Sequence, residues 1–441
     1  MPLDWKAIGS SFDRQEYRAE QRKKHGRKTV CVLPGDYPGE LLTALDLLAM
    51  EHWGAALALR PVDALRCLPS YVCSVVQHVL QWSLDGGAEG VEGVIVPSTC
   101  DSLKGLGSIL AELTSPLPCR VIPFDSAQAC RTTGGAAGPR HDGLQPVLDP
   151  FRRAELDQLI KACEELAGRR LETWRLEQAL RAHAEAEQLG RELYRRRASL
   201  VLGERRTIEL LRAREYLHVE DLLDVLSQAL AHVESAAHPP AAAPASRVPI
   251  LLSGLVPEPM ELLDRIEEAG LRVAADDLLC LGRRWRPPLL QIGAAGVAVS
   301  PLRTSEPGEA TPAPAPAPGA GSHRPTARVL VSPIPFSAAE ISANPLEKLL
   351  QRMAALPPAP TRSSSRPSRS SWLLSEVHRS GARGVVALVV KFCEPELFEL
   401  PLLRNALDEA RVPLLVLEHE LGVAPGGSVD TRLEAFGEIL R

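Results

Sequence analysis

The chain has 441 residues, 45% of them hydrophobic, with a formal net charge of -5 and a pI near 6.2. That length accommodates two or three domains with ordinary cores, and the slightly acidic balance offers no bulk attraction to nucleic acid. No apolar run reaches the ~20 residues that span a bilayer, and the charged stretch from Met1 to Lys28 is unlike a signal peptide. The nine cysteines, an odd number without regular close spacing, argue against a secreted disulfide framework. A cytoplasmic protein with reduced thiols is expected, some of them candidate metal ligands.

From Thr29 to about Pro150, short aliphatic runs (Val30 to Leu33, Ala55 to Leu59, Val94 to Val96, Arg120 to Pro123) alternate with helical patterns. This predicts a βα-layered lobe over residues 1–150. Residues 151–237 read as purely helical, with apolar positions three and four apart among many charges, as in Leu171 to Leu200. Within them, Arg195 to Arg197 is most simply a solvated face. A Pro- and Ala-rich tract at 238–246 reads as a linker.

A second α/β lobe, 247–441, opens at Val248 to Gly254 and resumes at Trp372. Two stretches interrupt it, an Ala-Pro repeat near 304–325 and a Ser-, Arg- and Pro-rich tract near 357–371. Neither buries enough apolar surface to offset chain entropy, so both are expected to be disordered surface insertions without a catalytic role.

Two cysteines end aliphatic runs. Gly384 to Val390 leads through Lys391 and Phe392 to Cys393, and Gly93 to Val96 leads through Pro97, Ser98 and Thr99 to Cys100. Such runs read as buried parallel strands, which places each thiol at a strand's carboxyl end, where open α/β sheets bind their ligands. The start of the next helix favours a thiolate or an anionic cluster there. The two thiols, distant in sequence, point to one shared site.

A longer ordered set of motifs comprises Tyr37-Pro-Gly-Glu-Leu-Leu42, Cys73-Ser74, Thr99-Cys-Asp101, Leu252-Ser-Gly254, Asp276-Asp-Leu-Leu-Cys-Leu-Gly-Arg283, Lys391-Phe-Cys-Glu-Pro395, Pro413 to Glu418 and Thr431 to Phe436. In this order the set resembles the 2-hydroxyacyl-CoA dehydratase and benzoyl-CoA reductase family. The resemblance covers nearly the whole chain outside the insertions. It implies two Rossmann-like or flavodoxin-like parallel-sheet lobes with an intervening helical segment. It also implies a 4Fe-4S cluster held by Cys73, Cys100 and Cys393, with the remaining iron open to a thioester carbonyl. A separate ATP-hydrolysing iron-sulfur activator would inject the electron; this chain has no Gly-x-x-x-x-Gly-Lys-Ser/Thr phosphate loop. A homologous second subunit is the implied partner, and an acyl-CoA the substrate.

Three soft thiolates suit such a cluster. As ligands, Cys73, Cys100 and Cys393 must converge on one void, with Cys280 outside it as a small buried hydrophobe. Cys31, Cys67, Cys119, Cys130 and Cys163 have no recognisable context and default to core or surface thiols. Glu40 sits at a helix start, where it either meets the helix dipole or, by the family motif, serves as an active-site acid or base. After Glu40 the sequence runs Leu-Leu-Thr-Ala-Leu, where relatives usually have Ala-Gly. The reading is radical dehydration of a 2-hydroxyacyl-CoA to an enoyl-CoA through a ketyl radical. Its alternatives are a benzoyl-CoA-type reductase subunit and a cluster-free structural partner.

Overall fold

The computed structural model describes residues 4, 6, 8–9, 12–54, 61–112, 119–126, 145–197, 202–235, 247–285, 344–354, 356, 359 and 369–441. Helix α1 (Arg14–His25) starts where the Asp13 carboxylate accepts the Gln15 and Glu16 N–H groups and stops at Gly26 in the left-handed region. There follow β1 (Lys28–Val32), α2 (Gly39–Ala44), β2 (Leu47–Glu51), α3 (Ala64–Cys67), α4 (Ser74–Leu84), β3 (Gly93–Pro97), α5 (Asp101–Glu112) and β4 (Arg120–Phe124). The four strands form one parallel sheet in the order β2-β1-β3-β4.

Strand β2 is absent from the sequence reading, because Leu41 to Leu48 looks like one amphipathic helix. Asp46 ends it: its backbone takes a positive φ of 56°, a conformation that Asp tolerates better than most residues, and the leucines beyond it become strand. The run expected at Ala55 to Leu59 lies outside the described residues.

Four helices come next, α6 (Gln145–Ala167), α7 (Thr173–Arg196), α8 (Gly203–Leu211) and α9 (Val219–Ser235), with a 3-10 turn at Arg212–Glu215. Arg195 and Arg196 pair with Glu192 at the surface, as a solvated face should. Arg197 does not belong with them: it is buried and meets Asp276 at 3.1 Å.

The second lobe holds β5 (Val248–Gly254), α10 (Glu261–Glu268), β6 (Leu271–Asp276), a 3-10 turn at Gly282–Trp285, α11 (Pro345–Ala354), α12 (Arg369–Ser380), β7 (Gly384–Val390), α13 (Glu394–Glu409), β8 (Leu414–His419) and α14 (Gly427–Leu440). Its parallel sheet runs β6-β5-β7-β8, the strand order of the first. The two-lobed α/β fold is therefore as expected. All seven residues of β7 are buried, which is why its sequence is continuously apolar rather than alternating.

The linker at 238–246 and the insertion at 304–325 lie outside the described residues. The tract at 357–371 departs from a uniform surface loop where it is described: Ala359 is buried and Arg369 opens α12. Arg369 is buried too, donating to Asp277 Oδ2 at 3.1 Å and Ser253 Oγ at 2.9 Å. A core carboxylate draws that end of the tract inward.

In each sheet the chain reverses its direction of growth beside the first strand, between β1 and β3 and between β5 and β7. The carboxyl ends flanking such a reversal form the crevice where α/β proteins bind ligands. Gly254 closes β5 at this point with φ +144°, and a Cβ there would stand 2.3 Å from the Leu388 carbonyl oxygen of β7. Backbone cannot yield as a flexible side chain can. Gly254→Ala should cost about 2 kcal/mol or more in denaturant unfolding, whereas Gly426→Ala, with nothing within 4 Å of its Cβ, should stay within about 0.5 kcal/mol of wild type.

Candidate functional site

The two carboxyl edges face each other. Arg283, beyond β6, reaches Asp36, beyond β1, through two parallel bonds of 3.1 and 3.2 Å. Beside it Arg284 pairs with Glu51 and donates to the Gly35 carbonyl at 3.3 Å. On the far side, the Leu421 N–H donates to Ser74 Oγ at the start of α4 at 3.2 Å.

Three thiols approach this seam, each at a helix start. Cys73 caps α4 and Cys393 caps α13. Cys100 immediately precedes α5, where its carbonyl accepts the Lys104 N–H at 3.1 Å. Neither the Cys73 nor the Cys393 sulfur accepts a capping hydrogen bond, but the nearby backbone N–H groups of Val75 and Val76 favour the Cys73 thiolate and that of Glu396 the Cys393 thiolate. Burial pushes the Cys73 thiol up to about 12, and the Cys100 sulfur and Glu396 carboxylate push the same way. Burial also drives the Cys393 thiol well up, reinforced by Glu396 and by the Cys73 and Cys100 sulfurs. The three cysteines chosen from sequence thus share one electrostatic neighbourhood.

Among the described residues, no three His, Cys, Asp or Glu side chains stand close enough to hold a single metal ion. A cubane cluster is a larger body than an ion and keeps its ligands farther apart. In its favour are the three soft donors, the N–H groups near Cys73 and Cys393, and the burial that keeps these two thiols protonated until a metal replaces the proton. Cys280 is fully buried, and the charges acting on it are chiefly those of Arg212, Glu215, Arg284 and Asp276. Cys163 is fully buried in α6. Cys31 is buried, Cys119 half-buried and Cys67 exposed; Cys130 lies outside the described residues. Lys104 is exposed on α5.

Beneath Cys393 lies a buried polar layer that the sequence reading did not identify. Glu396 accepts the Val390 N–H at 3.1 Å; burial raises its carboxyl to about 7 against the pull of Arg369. The signal was present in the motif stretch from Asp276 to Arg283, but the partners of Asp277 and Arg283 are remote in sequence.

Glu40 stands apart from the thiols in its contacts. It starts α2 and accepts Arg352 Nε from α11 at 2.8 Å, while Arg352 Nη2 donates to Glu187 at 2.6 Å. Burial pushes the Glu40 carboxyl up, but the Arg352 guanidinium overrides it and holds the group down at about 2. His183, bonded to Thr43 Oγ1 at 2.9 Å, is pushed down to about 4, chiefly by burial. Glu40 is thus an ionised, paired carboxylate.

Two like parallel-sheet lobes whose carboxyl edges face each other define a two-lobed α/β protein. Comparison with known proteins narrows the class. The profile of the 2-hydroxyglutaryl-CoA dehydratase D-component family matches residues 34–293 and 327–440. The chain belongs to that family, the 2-hydroxyacyl-CoA dehydratases and benzoyl-CoA reductases, as its motifs suggested. It is 22% identical to the lactoyl-CoA dehydratase subunit beta of Anaerotignum propionicum, over 96% of this chain and 94% of that one. Identity to the (R)-2-hydroxyglutaryl-CoA dehydratase subunit beta of Acidaminococcus fermentans is 23%, over 95% and 94%. To a benzoyl-CoA reductase subunit of Thauera aromatica it is 21%, over 94% and 91%. Among the described residues, no helix is long and apolar enough to cross a membrane.

Because Glu40 titrates at about 2 when folded against an ordinary 4.5, its pairing stabilises the fold above pH ~4.5 and the contribution fades as pH falls toward 2. Glu40→Gln should therefore lose about 2 kcal/mol at pH 7, with the difference from wild type closing in unfolding curves taken between pH 4.5 and 3.

Proposed function

We propose that this chain is the iron-sulfur subunit of a 2-hydroxyacyl-CoA dehydratase-type enzyme, converting a 2-hydroxyacyl-CoA to an enoyl-CoA. The observation that carries the reading is the common neighbourhood of Cys73, Cys100 and Cys393, each at a helix start on the seam between the lobes. A 4Fe-4S cluster held by Cys73, Cys100 and Cys393 would supply one electron and a Lewis-acidic iron to the thioester carbonyl, chemistry that would let the α-hydroxyl leave as hydroxide and the otherwise unactivated β-hydrogen as a proton, with the electron returned at the end.

The chain's own residues set the conditions for this. Cys73, Cys100 and Cys393 provide the soft donors, and the α4 and α13 N–H groups stabilise negative charge on sulfur. Arg369 and Asp277 fix the polar layer under Cys393. Glu40, held ionised by Arg352, acts as a fixed charge that orients substrate or, once Arg352 moves, as a proton acceptor. Two of the relatives are beta subunits by name, which supports a homologous second subunit as partner. The exposed Phe392, Leu397, Phe398 and Leu402 beside Cys393 give apolar surface for it. A separate ATP-hydrolysing iron-sulfur activator would deliver the electron in the cytoplasm.

A second reading, a benzoyl-CoA-type reductase subunit, is favoured by the near full-length match to the benzoyl-CoA reductase protein of Thauera aromatica. Product analysis separates the two, since dehydration is redox-neutral overall and ring reduction consumes two electrons per turnover. Iron and sulfide analysis of the anaerobically purified chain tests the cluster itself; an iron-free chain would leave a cluster-free structural partner as the remaining reading. Cys393→Ser should lose the cluster and all but a trace of turnover with little change in unfolding free energy, because one sulfur becomes oxygen while an alcohol ligates iron poorly. Cys163→Ser should keep both near wild type. Full iron content in Cys393→Ser would remove the assignment.

A further inference from the structure

We propose that a cavity between α2, α7 and the 3-10 turn at Gly282–Trp285 binds a short aliphatic chain carrying one carboxylate, with Arg214 as its counter-ion. The cavity holds about 120 Å3, which at ~10–15 Å3 per water corresponds to a ligand on the order of ten non-hydrogen atoms. Its apolar lining comes from Leu47, Leu217, Leu222, Leu349 and Met353.

The polar part of the lining is incompletely paired. Four guanidiniums belong to it. Arg283 is taken by Asp36, Arg284 by Glu51, and Arg352 by Glu40 and Glu187. Arg214 has no carboxylate within ion-pair distance among the described residues. It donates to the Arg284 carbonyl at 3.2 Å and lies over the Trp285 ring at 5.1 Å. The acidic groups that act on it, Glu51 and Glu187, are already held by other guanidiniums.

Two buried polar atoms in this lining are orphaned among the described residues: the Nε1–H of Trp285, which is 2% exposed, and Nε2 of His218, which is 5% exposed. Buried polar groups are rarely left unsatisfied, and each specific exception calls for a cause. A carboxylate facing Arg214 can accept from the guanidinium and from the Trp285 N–H together, with its alkyl tail against the leucines. One unpaired cation matches a single negative charge better than a phosphate dianion.

Such a group is carried by a free short-chain acid or by the free end of a dicarboxylic thioester. The site does not depend on the iron-sulfur reading, and its test does not use turnover. Isothermal titration of the full chain with pentanoate should show one site. Pentanamide, of the same size but neutral, should bind at least about tenfold more weakly, and so should pentanoate to Arg214→Met. Trp285→Phe keeps the ring over Arg214 but removes the N–H; it should weaken pentanoate about fivefold, and provides the readout should Arg214→Met fold poorly. Displacement of pentanoate by succinyl-CoA would assign the site to a thioester's free end, and no displacement to a free acid. No pentanoate binding, equal binding of pentanamide, or undiminished binding in both variants would overturn the proposal, whatever the iron content of the protein.

Discussion

The two-pronged bond between Arg283 and Asp36 fixes how the lobes face each other. Each lobe could form its own sheet alone, and neither sheet by itself gathers the three thiols. Cys73 and Cys100 belong to the first lobe and Cys393 to the second, so their proximity depends on the seam. A buried ion pair adds little net stability once desolvation is counted, but separating its members strands a buried charge at a cost of several kcal/mol. Lobe orientations that pull Arg283 away from Asp36 are penalised accordingly. Arg284 repeats the device with Glu51, which also accepts Tyr37 OH at 3.2 Å and Trp53 Nε1 at 3.1 Å, so the acceptor is itself held rigidly.

Acidity alone does not single out the site thiols. Burial raises Cys163 to about 12, as it raises Cys73. What differs is the rest of the surroundings. Cys163 lies within a helix, whereas Cys73 has two N–H groups and a second sulfur close by. In the first case burial dominates, opposed only by the charge of Arg120, and among the described residues no second sulfur acts on the thiol; in the second, burial opposes features that favour negative charge, and a metal can resolve the conflict by displacing the proton.

Local patterns carried the part of this site that could be read from sequence. A strand with both faces covered must be apolar throughout, so β3 and β7 were visible as runs, and Cys100 and Cys393 follow them directly. Strand β2 was hidden because its leucines continue the spacing of α2 until Asp46 turns the chain. The charged partners were less legible still. Arg369 sits in a tract whose composition denotes disorder, Arg352 reads as one more helical surface charge, and Asp36 and Arg283 are 247 positions apart. Pairing across such separations is set by tertiary packing, and a single sequence shows only that each residue is polar.

The turn into Cys393 shows the same tension between local preference and site geometry. The Cys393 N–H returns to the Val390 carbonyl at 2.8 Å, making Lys391 and Phe392 the corners of a tight turn. Phe392 takes φ 62°, a conformation normally left to Gly or Asn at this position and costly for a bulky side chain, by roughly 1–2 kcal/mol. A longer connection would relieve the strain. It would also let Cys393 drift from the end of β7, where the fully buried strand on one side and the first turn of α13 on the other hold it. The strained turn is the shortest link that keeps both, and it leaves the Phe392 ring at the surface under the Lys391 ammonium, 5.3 Å from its centroid. The residue that local propensity would replace first therefore sits beside the thiol on which the proposed chemistry depends.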